Sequence, residues 1–254
     1  MSKIFLSVII PSYNEMANLQ KGVLDKVEHF LGKQNYSYEI IVVDDGSTDG
    51  SQEFVEEFVK ENKNFALIKN SHTGKAGAVT AGMLKAEGDY RLFTDMDQAT
   101  PIEELNKLLP FLGNDYDIVV GSRSTRRKGA PWTRALMGRG MIILRRIIVG
   151  NIEGVTDTQC GFKIFNKKSA LDLFDKLQKF HHGFKTISGS AVKAGFDVEL
   201  LFLAQKEGYR IKEVPVNWLY VESRRVSPLK DSISAFTDLL NIRLHSLKGK
   251  YNNL

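Results

Sequence analysis

Asp95-Met96-Asp97 sets two carboxylates one residue apart, directly after the apolar run Tyr90-Arg91-Leu92-Phe93-Thr94. Acids at a strand's end reach a common point beyond the sheet. There a hard divalent cation such as Mg²⁺ or Mn²⁺ takes oxygen ligands, and a cation so held can grip a diphosphate. Two acids in a loop are also ordinary solvated turn formers, so the pair gains meaning from its company. Pro11-Ser12-Tyr13-Asn14-Glu15 and Asp44-Asp45-Gly46-Ser47-Thr48-Asp49 follow apolar runs in the same way. Pro11 is expected to stop its strand. Tyr13 offers a flat ring, and Glu15 can accept from donors on a base or ribose. Asp44 and Asp45 can take a hydroxyl or a ring N–H, while Gly46 permits a tight turn and Asp49 is expected to cap the next helix.

Further chemistry-bearing residues sit beyond these three segments. Gly74-Lys75-Ala76-Gly77 opens a helical pattern, so its backbone N–H groups can face an anion, but the spacing is not that of a P-loop. Lys75 either screens a diphosphate or is simply exposed. Gly121-Ser122-Arg123 follows the run Ile118-Val119-Val120 and puts a guanidinium, whose fork suits phosphate, at the same rim. Asp157-Thr158-Gln159-Cys160-Gly161-Phe162-Lys163 mixes an acid, an amide and an aromatic in the manner of a substrate wall. His181 and His182 lack a partner at metal-ligand spacing and read as surface residues, and Cys160 reads as a semi-buried free thiol.

These residues need a scaffold, and the first 121 residues supply its pattern. Candidate strands at Phe5 to Ile10, Glu39 to Val43, Phe65 to Lys69, Tyr90 to Thr94 and Asp117 to Val120 alternate with helical stretches. That alternation predicts a Rossmann-like α/β fold, a mostly parallel sheet covered on both faces, in which ligands collect beyond the carboxyl ends of the strands. Pro101 with Glu103 and Glu104 reads as a helix's first turn. Residues 133 to 149 read as a basic amphipathic helix, with Leu136, Ile143, Leu144 and Ile147 interrupted by Arg134, Arg139, Arg145 and Arg146. A segment from Ser232 repeats the pattern with Ile233, Phe236, Leu240, Leu244 and Leu247. Such faces cover a core or lie on a membrane.

Composition bounds the rest. The 254 residues are 43% hydrophobic and 26% charged, as expected of one globular domain spanning 1–254. No apolar run is long enough to cross a bilayer and no signal-peptide layout is present, so a cytoplasmic protein is expected. A single cysteine excludes an internal disulfide. Net charge is +5, divided unevenly: residues 1–121 carry 11 Lys+Arg against 19 Asp+Glu, and residues 122–254 carry 24 against 11. An acidic half suits metal binding; a basic half suits phosphate or an anionic membrane face. Without a recognised motif or a repeat of aromatic and basic residues, nucleic acid is not expected as a partner.

Val8-Ile9-Ile10-Pro11-Ser12-Tyr13-Asn14-Glu15, Val42-Val43-Asp44-Asp45-Gly46-Ser47-Thr48-Asp49-Gly50-Ser51 and Asp95-Met96-Asp97, in this order, resemble family 2 glycosyltransferases of the GT-A fold. Asp157 to Lys163, Phe196-Asp197-Val198-Glu199-Leu200-Leu201 and Val214-Pro215-Val216-Asn217-Trp218 resemble more narrowly its dolichyl-phosphate glucose synthase branch. The resemblance implies Pro11, Tyr13, Glu15 and Asp45 around the nucleoside; Asp44 and Lys75 join them as nucleotide-sugar candidates from their own position and chemistry. It puts Asp95, Asp97 and the Met96 carbonyl at metal and diphosphate, and Arg123, Arg134 and Arg225 on phosphates. Asp157 would shape the acceptor pocket. In the related mannose synthases a glutamine two positions past the second acid also binds metal; here that position is Ala99, and Gln98 comes one earlier. The implied activity is inverting transfer of a hexose, glucose from UDP-glucose, to polyprenyl or dolichyl phosphate with Mg²⁺ or Mn²⁺. Eukaryotic members of that branch begin with a membrane helix, so adhesion here is expected from the amphipathic helices, peripherally. Alternatives are a GDP-mannose donor, a saccharide acceptor, or a non-catalytic nucleotide-binding scaffold.

Overall fold

The computed structural model describes residues 3–113, 115–123, 132–185, 195–219, 228–252 and 254, without the side chains of 132–139 and 228–232. In chain order the elements are β1 (Leu6–Ser12), α1 (Met16–Leu19), α2 (Val23–Leu31), β2 (Tyr38–Asp44), α3 (Ser51–Glu61), β3 (Phe65–Lys69), α4 (Gly74–Lys85), β4 (Tyr90–Thr94) and α5 (Leu105–Leu108). There follow β5 (Ile118–Ser122), α6 (Trp132–Ile148), β6 (Phe162–Asn166), α7 (Lys167–Phe180), α8 (Gly195–Lys206), β7 (Ile211–Pro215) and α9 (Pro228–Leu247). The strands form one seven-stranded sheet in the order β3-β2-β1-β4-β6-β5-β7. All neighbours are parallel except β6, which runs antiparallel to both β4 and β5.

Alternation along the strands divides the core. Val8, Ile10, Ile40, Val42 and Leu92 face a layer made by Val27 and Leu31 of α2, Val55 of α3, and Leu105 and Leu108 of α5. Their sequence neighbours Ile9, Ile41, Val43 and Phe93 face the opposite layer, Val79 and Met83 of α4, Leu173 and Leu177 of α7, and Leu200 and Leu203 of α8. Strands apolar on both faces are what a covered parallel sheet requires, and each large aliphatic so buried contributes about 1.5–3 kcal/mol. The five expected strands are all present.

Two local expectations are corrected. Pro11 does not end β1: it lies opposite Val43 inside the β1–β2 pairing, while the β1–β4 pairing stops earlier, at Ile9–Phe93. The proline's missing N–H therefore interrupts no ladder on the β4 side. Asp49 is not the N-cap of α3. Gly50 takes that place at φ 89°, and Asp49 instead accepts the Ser51 N–H at 3.0 Å and the Met16 N–H at 3.2 Å. The strands β6 and β7, unforeseen, complete the sheet.

On one flank α6, α8 and α9 meet through Met141, Leu144, Ile148, Val198, Leu239 and Ile242. Arg145, expected on the basic face of α6, is instead buried and donates to the Gly150, Val155 and Thr156 carbonyls. Ile143 and Ile147 on α6, and Ile233, Phe236, Leu240, Leu244 and Leu247 on α9, remain exposed. Among the described residues no helix is long and apolar enough to cross a membrane.

Candidate active site

The carboxyl ends of β1, β2 and β4 gather the polar segments. Two loops after β1 and β2 are zipped together by side chains. Ser47 Oγ accepts the Asn14 N–H at 2.9 Å, Asn14 Oδ1 accepts the Thr48 N–H at 2.7 Å, and Ser51 Oγ accepts the Glu15 N–H at 2.9 Å. Asn14 adopts φ 53°, a left-handed turn that asparagine tolerates. Glu15 also receives the Asn18 amide at 2.5 Å. Asp44, fully buried, accepts the Gly46 and Ser47 N–H groups and so fixes the turn after β2.

Asp45 organises a third segment. Its carboxylate accepts the Asn70 amide at 2.9 Å and the Thr73 and Gly74 N–H groups at 2.8 Å each, and lies 3.1 Å from His72 Nδ1. A carboxylate there satisfies orphan donors at the start of α4 and complements the helix dipole, a role Thr73's own side chain does not fill. His72 stacks on Tyr13 with ring centroids 4.1 Å apart and planes 18° from parallel. The result is a flat aromatic surface beside a preorganised donor-rich loop.

After β4 the chain turns tightly. Asp97 Oδ1 accepts the Ala99 N–H at 2.9 Å, Gln98 takes φ 48°, and the Gln98 amide folds back on the Asp95 carbonyl at 3.0 Å. Gln98 is thereby committed to the turn, and Met96 is buried. Asp95 turns its carboxylate to Lys75, whose ammonium is 2.6 Å away. Burial alone would lower the Lys75 pKa, but Asp95, Asp197 and Asp97 outweigh it and raise it. Antiparallel β6 brings the Cys160-Gly161 turn beside this acid. A Cβ at Gly161 would stand 1.9 Å from Asp95 Oδ2, so only glycine lets the carboxylate sit there.

Beneath the turn, the fully buried Lys163 donates to the Cys160 carbonyl at 2.6 Å and to Asp197, with its ammonium 5.1 Å from the centroid of Phe93. Asp197, in the first turn of α8, acts electrostatically on both Lys75 and Arg123. Sequence reasoning read Gly161 and Lys163 only as part of a substrate wall and Asp197 only as part of a family motif, and gave none of them these contacts. A lysine inside a run as apolar as Phe162-Lys163-Ile164-Phe165 was the available signal for a buried partner, because a lone ammonium there is very costly.

Arg123, just past β5, is gripped by Asp157. Its N–H and Nε donate to Oδ2 at 3.0 and 2.7 Å, and Nη2 donates to Oδ1 at 2.7 Å. Burial raises the Asp157 pKa, but the Arg123 guanidinium overrides it and holds the carboxyl down at about 2. Cys160 is fully buried rather than semi-buried, and burial with the nearby Asp157 charge pushes its thiol up to about 11. His181 is not a bare surface residue: its Nε2 lies 2.6 Å from buried Glu199, which also accepts the Tyr251 hydroxyl at 2.6 Å. Arg225 and the Arg134 side chain fall outside the described residues.

Among the described residues no three His, Cys, Asp or Glu side chains are grouped as a ready-made metal cage. Asp95 and Asp97 nevertheless fit a hard cation. Their oxygens are the ligand type that Mg²⁺ and Mn²⁺ prefer, a diphosphate and water complete such sites, and the Lys75 ammonium already occupies Asp95 as a stand-in cation.

A doubly covered, mostly parallel sheet with acids, a cation and a flat ring at its carboxyl rim is an arrangement that suits a nucleotide-like ligand carrying a diphosphate. Residues 7–174 match the family described as Glycosyl transferase family 2, and the chain belongs to that family of glycosyltransferases. It is 34% identical over 97% of its length to a dolichyl-phosphate beta-glucosyltransferase of Dictyostelium discoideum, covering 76% of that protein. It is 32% identical to those of Saccharomyces cerevisiae and Homo sapiens, over 99% and 97% of its length and 78% and 77% of theirs. Among solved structures, mannosyl-3-phosphoglycerate synthase from Rubrobacter xylanophilus shares the fold at TM-score 0.66 and 14% identity, over 99% of this chain and 76% of that one. So does the Pyrobaculum calidifontis mannosyltransferase solved with GDP-Man and Mn²⁺, at TM-score 0.54 and 18% identity, over 96% and 74%.

Proposed function

We propose that the chain transfers glucose from UDP-glucose, with inversion, to the phosphate of a polyprenyl or dolichyl phosphate at the cytoplasmic face of a membrane. The observation that carries this reading is the rim itself, with Asp95 and Asp97 beyond β4, the acid Asp95 seated against Gly161 and paired with a cation. The names of relatives that match nearly the whole chain support the lipid acceptor.

In this reading Tyr13 stacks on the base, Pro11, Glu15, Asp44 and Asp45 shape the nucleoside loops, and Lys75 and the Met96 backbone adjoin the diphosphate. Asp95 and Asp97 would hold Mg²⁺ or Mn²⁺, which would supply Lewis-acid neutralisation of the diphosphate's charge. The acceptor is a phosphate monoester with a second pKa around 6, so it arrives already ionised and needs positioning more than a base. Arg123, Arg134 and Arg225 orient it, and Asp157 aims Arg123. A carboxyl held at about 2 stays ionised and hydrogen-bonded at neutral pH, which suits a positioning residue rather than a proton acceptor. The exposed apolar residues of α6 and α9, with Arg146, Arg243 and Lys248 exposed nearby in sequence, suit an interfacial contact with anionic lipid.

Radiolabelled UDP-glucose with short-chain polyprenyl phosphate tests the assignment, with GDP-mannose and soluble saccharides as competing substrates. Asp97→Ala at saturating Mn²⁺ is expected to lose roughly 100-fold or more in turnover. Near-normal turnover by that variant, or preference for GDP-mannose or a saccharide acceptor, would overturn it.

A further inference from the structure

Lys75 lies in the first turn of α4 and reaches across to Asp95 at 2.6 Å, with Asp97 and Asp197 adding to the negative field around it. An ammonium and a divalent cation satisfy the same need, neutralising carboxylate oxygens at contact distance, so the two compete for Asp95. The Gly161 backbone closes one side of the acid, so in its present position the carboxylate faces Lys75. The lysine, by contrast, has somewhere to go. It borders a cavity of about 620 Å³ also lined by Phe180, Phe184 and Lys185, and its long flexible stem allows the head to swing.

We infer that Lys75 is an exchangeable counter-cation: it neutralises Asp95 in the unliganded protein and moves to the donor's diphosphate when a divalent cation takes its place. The inference rests on reading Asp95 and Asp97 as cation ligands. Its consequence is a loading rule. Without nucleotide, Lys75 stays in contact with Asp95, within the field of Asp97 and Asp197, and opposes the metal; with a diphosphate present, it gains a new partner and releases Asp95. Cation and nucleotide therefore enter together, and a bare metal ion is poorly held.

The test is titration of Mn²⁺, followed by the electron paramagnetic resonance of the free ion, on wild type, Lys75→Met and Asp97→Ala, each with and without UDP. Protein-free titrations correct for chelation by UDP itself. Lys75→Met is expected to bind Mn²⁺ alone roughly tenfold or more tightly than wild type does, and to bind UDP at saturating Mn²⁺ roughly tenfold more weakly. Asp97→Ala should abolish the Mn²⁺ signal change in both conditions. An unchanged or weaker Mn²⁺ affinity in folded Lys75→Met overturns the exchange while leaving the metal site standing. Failure of wild type to hold Mn²⁺ even with UDP removes the metal reading and the exchange with it. A crystal structure of wild type with Mn²⁺ and UDP decides the matter without a variant: Lys75 Nζ is expected more than 4 Å from Asp95, and a pair retained at its present distance refutes the exchange.

Discussion

Gly161→Ala separates the architecture of the site from the stability of the fold. The backbone at Gly161 does not take a positive φ, so alanine is conformationally acceptable, and the whole effect comes from one methyl group. That methyl would stand 1.9 Å from Asp95 Oδ2 and 2.5 Å from Asp95 Cγ, where real contacts stay above 3.0 Å. The Asp95 carboxylate must retreat by about 1 Å or change rotamer, and it leaves Lys75 when it does. The displaced atoms are the far end of a partly exposed side chain, so global stability should fall by less than about 1 kcal/mol. A ligand misplaced by about 1 Å should cost on the order of 100-fold in kcat/KM, with a matching loss of Mn²⁺ affinity in the presence of UDP. Urea unfolding, steady-state transfer assays and Mn²⁺ titration on one preparation give all three quantities. Unchanged kcat/KM with unchanged Mn²⁺ affinity would show that the position of Asp95 against Gly161 has no bearing on the chemistry; a loss of several kcal/mol in stability would show that Gly161 serves the fold instead.

Asp157→Asn leaves the Arg123 guanidinium short of its counter-charge, and denaturant unfolding at pH 7 should record a loss of about 3 kcal/mol. The pH dependence has a defined sign: a carboxyl held at about 2 in the folded chain, below its unfolded value near 4, stabilises above pH 4 and loses roughly 2 kcal/mol as pH falls toward 2, a slope that the Asn variant should lack. Lys163→Met strands Asp197 without its partner and should cost about 3–5 kcal/mol, whereas Lys163→Met combined with Asp197→Leu should recover much of that loss; absence of recovery in urea titrations would refute a paired interior charge. Leu244→Glu with Ile147→Glu places two acids on the exposed apolar positions and should abolish flotation with anionic liposomes while leaving the melting temperature within a few degrees; continued flotation would move the membrane contact elsewhere.

The strands whose ends carry the chemistry were legible because β1, β2, β4 and β5 are buried on both faces, and such burial writes short unbroken apolar runs into a sequence. β6 hid because Lys163 interrupts its apolar run, and the interruption is explained only by Asp197 on another element. β7, at the sheet's edge, reads Ile211-Lys212-Glu213-Val214-Pro215, where charge and proline are tolerated because one side has no neighbouring strand among the described residues. The candidate acids stood out by their spacing together with the neighbouring segments at other strand ends. Their supports did not: Lys75, Gly161 and Asp157 act on Asp95 and Arg123 through contacts between distant segments, and no local pattern announces which backbone atom an acid will rest against. The same holds for Asp45, whose adjacent pairing with Asp44 suggested ligand contact, while the fold gives its carboxylate the N-terminus of α4 to organise.

The reversed strand β6 also makes the site depend on residues far apart in chain order. A nascent chain that has emerged only through β5 already carries the acidic turn after β4, but Gly161, which backs Asp95, and Asp197, which holds Lys163 beneath it, have yet to be synthesised. Moreover β4 has no neighbour on that side until residues 162–166 return antiparallel to it. The backing of Asp95 is therefore completed only by segments from the second half of the chain. An amino-terminal fragment ending at β5 would contain Asp95, Asp97 and the paired Lys75 but not Gly161, against which Asp95 rests, nor Asp157 and Asp197.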